Sequence, residues 1–202
     1  MTEHEQQQGP HTPERRPRPE DEPDVPPRIW VASLADYVNG HLHGEWLDPA
    51  VDDHELIKAV QAMLARSHEP LAEEHAIFDF EGFNPWKPGE YAPLELVAKV
   101  ARGIRDHGRP YAVWADLVSG ETERLDQFED AYLGHWESPE AWAHEVASDL
   151  GLNNELDSAI PATWRPYIQF DAEGFARDCS LNGEVTFESR PDGKVDAFRE
   201  DP

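Results

Sequence analysis

The side chains with the most evident chemistry in this sequence are carboxylates. Between Pro110 and Trp164 stand Asp116, Glu121, Glu123, Asp126, Glu129, Asp130, Glu137, Glu140, Glu145, Asp149, Glu155 and Asp157, with Arg124 the only basic residue among them. Acid-rich segments that stay disordered are poor in aromatics, whereas this one also holds Trp114, Phe128, Tyr132, Trp136 and Trp142. Carboxylates fixed on folded elements repel one another and cost stability. An excess kept there points to a use, and the use open to it is electrostatic: contact with a basic surface. Paired carboxylates could also serve glycoside chemistry, but where acids are this dense no single pair is informative.

A second constellation is His41, His43 and Glu45, at alternate positions of a predicted strand. A His-x-His pair on one strand face could hold a metal, but the spacing is common and the sequence fixes no third ligand. His135 with Glu137 and His144 with Glu145 are weaker versions of the same idea. The sequence contains no Walker loop, GxGxxG, GxSxG or HExxH pattern. Cys179 is the single cysteine, so no intrachain disulfide and no Cys-based zinc site can form; it reads as a small buried hydrophobe.

The elements that must carry these groups follow from periodicity and punctuation. Residues 1–27, with Gln6–Gln8, many prolines and almost no aliphatic side chain, read as a disordered tail. Arg28–Leu34 reads as a strand, with Asn39-Gly40 a hairpin signal, and His41–Leu47 as its return, with Leu42 and Trp46 on one face. Asp52 and Glu55 have capping-box spacing before a helix with Leu56, Val60, Met63 and Leu64 inward. Ala76–Glu81 reads as a third strand. Pro93 opens a helix lined by Leu94, Val97, Ala101 and Ile104. Pro110 opens a second with Trp114, Leu117 and Val118, and Leu125 marks a short turn. Phe128, Tyr132 and Trp136 predict a strand. Ser138-Pro139 predicts a helix start, with Trp142, Val146 and Leu150 as its inward stripe. A short helix over Asp171–Cys179 and a hairpin of Glu184–Ser189 with Lys194–Arg199 close the chain. The predicted class is α+β, in three small units: an α+β unit over 28–91, a helical unit over 92–127 and an α+β unit over 128–202. Most of the seven tryptophans fall on apolar faces and read as core, while Trp86 in a loop could cover a core edge or meet a partner.

The whole chain carries 42 acids and 17 bases, a net charge of −25. Seven acids and three bases lie in the tail, so −21 belongs to residues 28–202. A chain with pI near 4.5 does not bind nucleic acid or anionic membrane directly. No apolar run approaches the ~20 residues that span a bilayer, and no secretory signal opens the chain, so a cytoplasmic protein is expected. B-DNA carries about two charges per base pair, so −21 corresponds to roughly ten base pairs of phosphate, and a symmetric dimer to roughly twenty. That is enough charge to fill a basic channel built for DNA.

Two stretches carry a family resemblance. RIWVASLADYVNGHLHGEWLD followed by AIFDFEGF resembles the start of ArdA antirestriction proteins, and LDSAIPATWRPYIQFDAEGFARDCSLNGEVTFE resembles their C-terminal region. Within the second, YIQFDAEGFARD carries the closest match, with Gln169 where many members have an acid. The resemblance covers Arg28 to about Arg199. It implies an elongated, dimeric inhibitor from mobile genetic elements that mimics bent B-form DNA. Such a protein competes for the DNA-binding groove of Type I restriction-modification enzymes, at their methyltransferase and specificity subunits. It implies no catalytic residue and no cofactor. Asp116, Glu121, Glu123, Asp126, Glu129, Asp130, Glu137, Glu140, Glu145 and Asp149 are then the candidate phosphate-mimicking set. Two alternatives stay open at this point: an acidic adaptor for another basic DNA-binding protein, and a small metal-binding protein using His41, His43 and Glu45.

Overall fold

The structure is a computed structural model that describes residues 25–202. The expected disorder of the tail therefore lies outside the described residues, apart from Val25–Pro27. Those described residues form a mixed α+β chain with two three-stranded antiparallel sheets and nine α-helices.

In the first sheet β1 (Arg28–Ser33) lies between β2 (Gly44–Leu47) and β3 (His75–Glu81), with Trp30 opposite Trp46 and Arg28 opposite Glu81. The connection from β1 to β2 is not the tight hairpin that Asn39-Gly40 predicts. It is a one-turn helix, α1 (Leu34–Val38), capped by Ser33. The reason lies at Asp36, which is fully buried and accepts hydrogen bonds from the Ser67 hydroxyl and from the His68 amide at 3.1 Å. Anchoring that carboxylate draws the segment inward as a helical turn. The return strand starts later than expected, and Leu42 is left 75% exposed in the loop before it.

Helix α2 (Asp53–Leu64) packs on this sheet. Asp52 caps it by accepting the His54 amide at 2.9 Å. Leu56, Val60, Met63 and Leu64 are all buried, as their helical spacing predicts. Next come α3 (Leu94–His107), α4 (Arg109–Leu117), α5 (Thr122–Leu125) and α6 (Phe128–Ala131). Between α3 and α4 the chain reverses at Gly108, whose φ of 73° and ψ of −156° belong to a region open essentially to glycine. The two helices then approach so closely that a Cβ on Gly103 would stand 2.1 Å from the Tyr111 ring. One buried cluster runs from Ile29 and Val31 through Leu56, Val97 and Trp114 to Phe128 and Phe198. Trp86, 6% exposed and beside Phe83, belongs to it.

The second sheet has the order β4 (Tyr132–Trp136), β6 (Val195–Arg199), β5 (Val185–Ser189). Helices α7 (Pro139–Asp149), α8 (Leu152–Ala159) and α9 (Ala172–Leu181) accompany it. Its own cluster joins Trp142, Ala143, Ala172, Ala176, Cys179, Val185 and Ala197. The strand expected from Phe128 begins only at Tyr132. Phe128 and Tyr132 are four apart, a spacing that suits a helical turn, and Phe128 seats its ring 4.8 Å from His107 and 5.0 Å from Tyr111. On α7 the Ser138 hydroxyl accepts the Ala141 amide at 3.1 Å, as the Ser-Pro signal predicts. Leu150, expected inward, is the C-cap and 76% exposed; Ala143 and Ala147 complete the buried stripe instead.

Candidate functional site

All ten carboxylates of the candidate set are exposed. The elements that hold them are short and rigidly seated. Asp116 lies near the end of α4, Glu121 and Asp126 flank α5, and Glu123 is within it. Glu129 and Asp130 are on α6, Glu137 precedes α7, and Glu140, Glu145 and Asp149 are on α7. The opposite faces of these elements supply Trp114, Leu125, Phe128 and Trp142 to the two cores. Amphipathic helices put apolar spacing inward and leave the acids outward. Asp116 and Asp149 lie in last turns, where the helix dipole disfavours a negative charge by about 0.3–1 kcal/mol each at exposed sites.

The ten divide by their partners. Asp126 meets Lys99 at 2.7 Å and Glu137 meets Lys194 at 3.4 Å. Glu145 accepts the Trp136 indole N–H at 2.9 Å, and Glu140 lies 3.8 Å from the His144 ring. Asp116, Glu121, Glu123, Glu129, Asp130 and Asp149 make no ion pair within 4.0 Å among the described residues.

The basic residues are mostly spoken for. Arg28 holds Glu81 at 2.7 Å and Arg66 holds Glu45 at 2.8 Å. Arg102 holds Asp53 at 2.8 Å, and Arg165 holds Asp157. Arg124, the lone base of the acidic stretch, donates to the Glu200 carbonyl at 3.0 Å with its guanidinium over Trp114. Over residues 28–91 two of the four bases, Arg28 and Arg66, are taken by internal acids, while Glu73, Glu74 and Glu90 stay exposed, as does Glu95 on α3. These four, and the exposed Glu155 on α8 that the acidic stretch includes, stand outside the candidate set.

The histidine constellation is not assembled as a metal site. His43 Nε2 bonds the Met63 carbonyl at 2.8 Å, and Glu45 is bound to Arg66. His41 lies 3.7 Å from Glu69 instead. No group of three His, Cys, Asp or Glu disposed to hold a metal occurs among the described residues. Cys179 is 6% exposed, and burial, with Glu184 beside it, pushes its thiol above the ordinary range, which fits a core residue. Among the described residues no helix is long and apolar enough to cross a membrane.

Fold and surface together define a small acidic α+β protein whose exposed carboxylates are only partly offset by its own bases. A family model described as antirestriction protein (ArdA) matches residues 29–191. The chain belongs to the ArdA antirestriction family, whose members inhibit restriction enzymes. No curated protein sequence matches it.

Proposed function

We propose that this protein inhibits Type I restriction-modification enzymes by standing in for duplex DNA. In this reading the exposed Asp and Glu replace phosphates and meet the Lys and Arg that line the enzyme's DNA groove, at its methyltransferase and specificity subunits. The protein acts in the cytoplasm as a homodimer of elongated protomers, each with units over 28–91, 92–127 and 128–202. It performs no reaction and takes no cofactor.

One observation carries the reading. Ten carboxylates chosen from sequence are all exposed, and seven of them, Glu145 with its indole bond included, have no ion-pair partner among the described residues. Charge left uncompensated on rigid elements is what a cationic groove selects. The mechanism is competition, so inhibition is spread over many weak contacts and no single neutralisation abolishes it.

The test is a cleavage assay of a purified Type I enzyme on plasmid DNA, with untagged protein added in steps. Inhibition is expected to be relieved by excess duplex competitor and by rising salt. Inhibition that leaves the enzyme's DNA occupancy unchanged, or that is equally strong at low and high salt, would contradict the mechanism.

A further inference from the structure

One face of β6 is held, position after position, by the helices that precede it in sequence. Asp196 and Phe198 alternate with Ala197 along β6 and so share a face, and Glu200 follows directly after the strand's end. Asp196 is fully buried; its Oδ2 accepts from Arg109 Nη1 at 2.8 Å, and its Oδ1 accepts from Arg190 Nη1 at 2.8 Å and the Tyr132 hydroxyl at 3.2 Å. Arg109, the first residue of α4, also donates from Nη2 to the Ser189 carbonyl at 3.0 Å. Phe198 stacks on Trp114 of α4 with ring centres 5.9 Å apart. The Glu200 carbonyl takes the Arg124 guanidinium of α5. The intervening residue, Ala197, belongs to the other core, with Trp142 and Ala143 of α7.

A single strand thus couples the α4–α6 segment, which carries Asp116 to Asp130, to α7, which carries Glu140 to Asp149. The packing of Phe198 on Trp114 is non-directional. The Arg109–Asp196 pair adds a directional tie, because both Arg109 Nη atoms are engaged and Asp196 is sealed from water. Removing the Asp196 carboxylate takes a charged partner from both Arg109 and the buried Arg190, which is costly away from water.

We propose that Arg109 and Asp196 are positioning residues for inhibition: their pair fixes the bearing of the α7 carboxylates relative to those of α5 and α6, so that both groups engage one partner surface together. This rests on the DNA-mimic reading. The second group to dock gains most from the first when their separation matches the partner, and the gain falls when the two move independently.

The experiment uses the full chain with Cys179→Ala, Gln127→Cys and Ser148→Cys, spin-labelled at the two introduced cysteines, with and without Asp196→Asn. The distance distribution between labels and inhibition per folded molecule are read on the same preparations, with circular dichroism fixing the folded fraction. The parent should give one narrow distribution, and Asp196→Asn a broader one with at least tenfold weaker inhibition. A distribution that stays narrow in Asp196→Asn overturns the proposal, and so does a broadened one with undiminished inhibition. Should Asp196→Asn fail to fold, Arg109→Lys keeps a charge for Asp196 but gives up the Ser189 bond. It is expected to broaden the distribution and to weaken inhibition severalfold, and no change in either measurement overturns the proposal. If the parent does not inhibit at all, the DNA-mimic reading fails, while the distances still decide whether the pair sets the bearing.

Discussion

Replacing Glu121, Glu123 and Glu129 by Gln, together with Asp130 by Asn, removes four charges that have no internal ion pair among the described residues. The matched control replaces Asp126, Glu137, Glu140 and Glu145, which touch Lys99, Lys194, His144 and Trp136. If each free carboxylate replaces one phosphate, four of them contribute up to about 3.6 to the slope of log affinity against log salt, or roughly a hundredfold in affinity between 50 and 200 mM. This is an upper bound, because carboxylates on a protein are spaced more widely than phosphates on a duplex. The control acids must first give up a partner worth about 0.5 kcal/mol each, roughly 2 kcal/mol in all or about thirtyfold. Neutralising them should therefore weaken inhibition far less and flatten the salt dependence less. Neither variant should melt earlier through charge loss, since removing like charges relieves repulsion. The assay is competition binding to a Type I enzyme against labelled duplex at stepped NaCl, with cleavage inhibition alongside. Equal losses from the two variants, or an unchanged salt slope in the first, would refute the assignment of uncompensated acids as the contact set.

Three further outcomes follow from the packing. Gly103→Ala should destabilise by about 1–3 kcal/mol despite alanine's better helix propensity, because the added Cβ would stand 2.1 Å from a Tyr111 ring that is only 6% exposed. Urea titration checks this, and Gly89→Ala, where nothing lies within 4 Å, should stay close to the parent. Burial alone would raise the Asp36 carboxyl, but hydrogen bonds from Ser67, Ser33 and His68 outweigh it and hold the group well below the usual carboxylate range. A lowered folded-state pKa stabilises above the unfolded value near 4, and that contribution is lost as pH falls below it towards the folded value. Asp36→Asn should therefore be less stable than the parent at pH 7, with the gap closing under acid; a gap independent of pH would be the wrong result. Ser138→Ala should cost about 1 kcal/mol by uncapping α7, while Ser138→Asp should retain most of it, both read from thermal melts.

Much of the chain was legible before folding. Capping residues and apolar spacing placed α2, α3, α4 and α7, because those signals are local and each helix buries one stripe. The Lys194–Arg199 hairpin was equally plain from its turn. What failed were places where distant contacts outweighed local signals. Asn39-Gly40 gave way to α1 because Asp36 is bound from residues 67 and 68. Phe128 left its predicted strand because His107 and Tyr111 hold its ring in a helical turn. Leu150 ends a helix whose inward face had already closed over alanines.

The same division runs through the functional surface. Sequence by itself determined the excess of charge, its concentration on structured elements and the family, since composition and motif survive without coordinates. Tertiary structure decided which acids remain uncompensated, because ion pairs such as Lys99–Asp126 and Arg28–Glu81 join residues 27 and 53 positions apart. It also decided that His43 meets the Met63 carbonyl and Glu45 meets Arg66. No linear pattern announces that Asp196 lies buried between Arg109 and Arg190, because a carboxylate's surroundings are set by whichever elements fold over it.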